Sequence, residues 1–138
     1  MEVAQGSKIS SGLLTSYDAA RYAMEELAAR SDDSQRTRAI ADAKAATAVV
    51  NAAVAAGSED KRLGAYAAPS ESTDPNVSTQ VLWARHVWSN IVSGEVQEAG
   101  SAKASSPARE AAVTGAVDAA RRATAWGADF SSLPGYAA

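Results

Sequence analysis

The sequence predicts an all-α fold, an alanine-rich antiparallel bundle of about four helices, and three observations carry that expectation. Alanine supplies 34 of the 138 residues, and alanine is the strongest helix former. Apolar residues recur at alternating steps of three and four in four separate stretches, the spacing of one helix face. No stretch alternates apolar and polar residues between hairpin turns, so strands are not expected. The whole chain, 1–138, is read as a single helical domain with an irregular N-terminal arm (1–12), the bundle (13–127) and an irregular C-terminal tail (128–138).

Residues 1–12 hold two glycines and three serines in a polar setting, which suits an arm. The first helix is expected at about 16–30. Thr15 and Asp18 stand at capping-box separation, and Leu13, Tyr17, Ala20, Met24 and Leu27 form its apolar seam. Asp18, Arg21, Glu25, Glu26 and Arg30 fall three or four apart and are expected to be solvated. The run SDDS at 31–34 places Asp32 and Asp33 where a helix N-terminus favours negative charge, so a second helix is expected at 34–56. Its seam reads Ile40, Ala43, Thr47, Val50 and Val54, and Gly57 suits the position after its end. The absence of charge from Ala45 to Ser58 suggests burial on several sides, with an internal partner for Asn51.

Residues 58–77, with two prolines and several serines, form the long connection, with room for one short helix near 59–66. The third helix is expected at 78–93 on the seam Val77, Val81, Ala84, Trp88 and Ile91, and Gly94 should end or bend it. Ser106 followed by Pro107 is the strongest start signal in the chain, because serine caps and proline occupies the first helical position without losing a hydrogen bond. The fourth helix should cover 107–126, with Ala112, Ala116, Ala119, Ala123 and Trp126 inward and Gly127 closing it.

Only 21 residues are Leu, Ile, Val or Phe, so the core is thin and association would add to its stability. Alanine seams let helix axes approach closely but bury little area per residue. Thirteen basic and 16 acidic residues leave a net charge of −3. With a pI near 5.1 the overall field does not draw in nucleic acid, and no sequence-specific nucleic-acid contact is expected. Arg36, Arg38, Arg121 and Arg122 are the tight basic groupings. Acids stand beside each pair, so solvated faces are the first reading and phosphate contact the second.

Zero cysteines exclude disulfides, thiolate nucleophiles and Cys-bearing zinc sites. His86 is the sole histidine, and positions 82 and 90, one turn either side of it, are Leu and Asn, so no carboxylate orients it as a base. Glu-x-x-His pairs, a G-x-S-x-G elbow and phosphate-binding glycine loops are absent. No metal, cofactor, small-molecule substrate or membrane partner is expected, and the chain is not read as an enzyme. The start lacks a recognisable secretion signal, so a cytoplasmic setting or a place within a macromolecular assembly is expected.

Three tryptophans carry much of the large contact surface. Trp83 and Trp88 lie about 140° apart on one helix, so either the bundle is thick enough to bury both, or one faces the core and the other is turned away as a partner-binding anchor. Phe130, Leu133 and Tyr136 in the tail are the other candidate partner-binding residues, apolar side chains that need a surface to dock on. The run AARYAMEELAARSDD followed by QRTRAIADAKA, under a third of the chain, resembles alanine-rich bacterial immunity proteins in its helix composition; the resemblance implies a small protein-binding module.

Two functional expectations follow. The first is a non-enzymatic structural or assembly subunit acting through helix-mediated self-association, of the kind found among bacterial or bacteriophage structural components. The alternative is a small protein-binding module, such as an immunity protein or adaptor, whose acidic surface steers a basic partner. A third, a cofactor-free enzyme built from carboxylates and tyrosines, stays open.

Overall fold

A computed structural model describes residues 8–69 and 75–129. Four helices follow one another: α1 (Ser11–Arg30), α2 (Asp33–Ala55), α3 (Thr79–Ser101) and α4 (Pro107–Ala125), with no strand among the described residues. Ser31 and Asp32 alone join α1 to α2, and five residues join α3 to α4, so each pair forms an antiparallel hairpin. The two hairpins meet through α1 against α3, giving the order α2, α1, α3, α4 across the bundle. Contacts between the N-terminal end of α1 and the C-terminal end of α3, Ser10 with Glu98 and Tyr17 with Glu95, make that pair antiparallel as well.

Three of the four helices begin on a serine whose hydroxyl accepts a backbone N–H: Ser10 from Leu13, Ser78 from Val81 and Ser106 from Arg109. The first corrects the start expected near 16. Ser10, not Thr15, is the cap, and the first turn places Leu13 and Leu14 in the core. α2 and α4 end on Gly57 and Gly127, both with positive φ, and the residue after each glycine bonds back to a carbonyl five positions earlier.

The α1 seam is as expected, with Leu13, Tyr17, Ala20, Met24 and Leu27 all buried. α2 differs. Its buried face is Ala39, Asp42, Ala46, Val49, Val50 and Ala53, while Ile40, Val54 and Asn51 are exposed. Alanines on every side of α2 give its sequence little apolar contrast, so the larger Ile40 and Val54 set the wrong register. The helix is not buried on several sides, and Asn51 needs no internal partner.

α3 passes straight through Gly94 for two further turns. The glycine is a close-packing site there: a Cβ on it would fall 2.8 Å from Leu13 Cδ1. Packing on α1 thereby outweighs the roughly 1 kcal/mol that glycine costs inside a helix. In α4, Ala112, Ala119, Ala123 and Trp126 are buried as expected, whereas Ala116 is half-buried and Gly115 takes the inner position. Residues 58–69 of the long connection contain no helix. Tyr66 pins them to α1 through a 2.8 Å hydrogen bond to Asp18, and its ring meets Tyr22 edge-on, as Tyr22 in turn meets Trp83.

Candidate association surface

The interior carries more polar chemistry than the seams suggest. Asp18, expected among solvated charges, is buried and accepts from Arg21 Nε at 2.7 Å as well as from Tyr66. Burial, countered in part by the Leu63 N–H that it accepts, and the bond to Asp18 hold the Tyr66 phenol above its ordinary range.

At the α1–α3–α4 junction the Tyr17 hydroxyl donates to Glu95 Oε2, and both side chains are buried. Gly115 makes room for this pair, since a Cβ there would lie 2.6 Å from the Glu95 carboxyl carbon. Burial pushes Glu95 up to about 7, with Glu98 adding to the rise and the Tyr17 hydrogen bond opposing it. Burial, then the neighbouring Glu95, drives the Tyr17 phenol far up, so it stays protonated as a donor.

At the other end of α4, Asp42 of α2 accepts from Arg122 Nη1 at 2.7 Å and from Trp126 Nε1 at 2.8 Å, while Arg122 Nε also donates to Asp118 at 2.9 Å. Burial pulls the Arg122 guanidinium down, and the bonds to Asp118 and Asp42 outweigh it and leave it above its ordinary value. This linkage ties α2 to α4, whose backbones do not pack as closely as the other neighbouring pairs.

Both α3 tryptophans are buried, Trp83 at 8% exposure and Trp88 at 1%, which is the reading in which the bundle encloses both and corrects the one in which one of them looks away from the core as an anchor. Trp83 packs edge-on to Tyr22 and Trp88 lies under the Arg122 guanidinium. Neither is placed as a surface anchor. Trp88 Nε1 has no hydrogen-bond partner among the described residues. Phe130, Leu133 and Tyr136 lie outside the described residues. His86 is exposed, as are Arg36, Arg38 and Arg121. Arg36 donates to the Ala28 carbonyl, Arg38 stacks over Trp126, and Arg122 is a half-buried ion-pair partner, not a solvated charge.

The surface that remains is aliphatic in places. Ile40 and Val54 on α2, Leu63 in the connection, and Val113 and Val117 on α4 are exposed. Ile40 lines a shallow groove of about 540 Å³ between α1 and α2, together with Ala28, Ala43, Thr47 and Ala48. A second groove, of about 460 Å³, runs beside Arg109, Glu110, Val113 and Thr114 on α4. The signal for this face was available in the sequence, since Val113 and Val117 are one turn apart and fall outside the α4 seam. Among the described residues no cluster of His, Asp or Glu could hold a metal ion, and no helix is long and apolar enough to cross a membrane.

These features define an all-α bundle with a buried polar junction and exposed aliphatic strips. Comparison with known protein families, with curated proteins and with solved structures finds no match to this chain.

Proposed function

We propose that this chain is a non-enzymatic helical subunit that works by associating with copies of itself through outward helix faces. The exposure of Ile40, Val54, Val113 and Val117 carries this reading. In a chain with 21 Leu, Ile, Val and Phe residues in all, leaving four of them on the outer faces of α2 and α4 forgoes core that a solitary bundle needs, and contact with another molecule recovers the burial. The acid–phenol pair best suited to proton transfer, Tyr17 with Glu95, supports the same reading, because it is buried among three helices where a solute does not reach it. Sedimentation velocity through the micromolar range tests the proposal. The sedimentation coefficient is expected to rise with concentration; a chain that stays monomeric throughout overturns it.

A further inference from the structure

The outer face of α4 is complementary to itself. Taking 100° per residue, Glu110, Val113, Thr114, Val117, Arg121 and Thr124 share one face, opposite the buried Ala112, Gly115, Ala119 and Trp126. All six outer residues are exposed. Val117 stands near its centre and Val113 one turn before it at the edge, and both residues are nearly half exposed, 46% and 48%. The acid Glu110 lies in the first turn and Arg121 just before the last, and neither side chain forms an ion pair within the described residues. That contrasts with the adjacent Asp118 and Arg122, which are paired with each other.

We propose that this strip binds the same strip of a second copy, α4 lying antiparallel on α4 about a twofold axis. With Glu110 level with Arg121 of the second copy, the twofold axis makes the same pair again at the other end. The same register sets Val113 against Val117 of the second copy to within about 1.5 Å along the axis, one residue's rise. The C-terminal half of the second α4 then occupies the groove beside Glu110 and Val113. A parallel arrangement would instead bring Glu110 to Glu110 and Arg121 to Arg121, and antiparallel helices also oppose their dipoles favourably. Arg109, about 100° round from Glu110, lies at the rim of this contact. The surface buried by one helix face is smaller than that of a standard stable interface, so the pairing is expected in the micromolar range.

The inference rests on the self-association reading, and charge reversal separates the two. Sedimentation velocity is compared for the full chain and for Val117→Glu, Glu110→Arg, Arg121→Glu and the double variant Glu110→Arg with Arg121→Glu, with circular dichroism confirming unchanged helicity. Val117→Glu is expected to weaken association at least about tenfold, by burying a charge at the centre of the contact. Each single reversal places like charges together at both ends and should weaken association about fivefold, and the double reversal should restore it. A chain that self-associates but is indifferent to all four changes overturns the α4 pairing and leaves self-association standing. A chain that is monomeric throughout overturns both. A monomer whose melting temperature falls with Val117→Glu has another segment of its own chain, such as residues 130–138, on this face, and that too overturns the pairing.

Discussion

Glu95 and Asp42 are both buried carboxylates facing α4, and the core treats them differently. Asp42 meets two donors on α4, the Arg122 guanidinium and the Trp126 indole, so its charge is compensated where it lies. Among the described residues Glu95 meets one neutral donor, Tyr17, with Glu98 adding negative charge from its own helix. Burial therefore favours the protonated form of Glu95, and the bare backbone of Gly115 leaves room for it. A buried acid with a matched cation ties two helices through charge-assisted hydrogen bonds, whereas the uncompensated burial of Glu95 makes the stability of its junction fall as pH rises.

Breaking the compensated site should have the largest effect. Asp42→Ala leaves the Trp126 N–H without its acceptor and Arg122 with Asp118 alone. It is expected to cost about 3 to 4 kcal/mol in urea unfolding, a range lowered from that of a fully enclosed pair because Arg122 keeps some solvent contact. A loss under about 1 kcal/mol would mean that Asp42 is not a tie between α2 and α4.

The uncompensated site sharpens the contrast through pH. Glu95 titrates near 4.5 unfolded and about 7 folded. Between those values the folded chain keeps a proton that the unfolded chain has lost, so stability falls as pH rises across this window and the contribution is gone above 7. The full span corresponds to about 3 kcal/mol. Glu95→Gln keeps an acceptor for Tyr17 but cannot ionise. The difference in unfolding free energy between variant and parent should thus move in the variant's favour from pH 5 to pH 8; a difference constant with pH would contradict the assignment.

The smallest expected effect tests the space between Gly115 and Glu95. Gly115→Ala must displace the carboxyl from Tyr17 and should destabilise by about 1 to 2 kcal/mol despite the better helix former. In a Glu95→Ala background the obstacle is gone, and the same change is expected to stabilise by up to about 1 kcal/mol. Equal effects in the two backgrounds, read from melting temperatures, would separate Gly115 from the pair.

The buried acids were legible only in part. Glu95 continues the α3 seam, standing four residues after Ile91 and three after Val92, and Asp42 stands between Ala39 and Ala46 at the same spacing. Position alone therefore marks both as inward. What hid them is that a charge on an apolar seam is admissible only if another element supplies a partner, and Tyr17, Arg122 and Trp126 come from helices 78, 80 and 84 residues away. Asp18 was missed for the same reason, its partner Tyr66 lying 48 residues on in the irregular connection.

By itself the sequence determined the local order of this protein. The alanine content makes helices, Ser106 with Pro107 starts α4, Gly57 and Gly127 close α2 and α4, and the contrast between large apolar and charged residues orients α1. Each of these acts within a few residues of itself, so a linear reading captures it. The tertiary structure decided which face of the alanine-covered α2 turns inward, that α3 runs through Gly94, that both Trp83 and Trp88 are buried, and which carboxylates enter the core. In those places local preference is nearly flat, and contacts between helices distant in sequence select one arrangement.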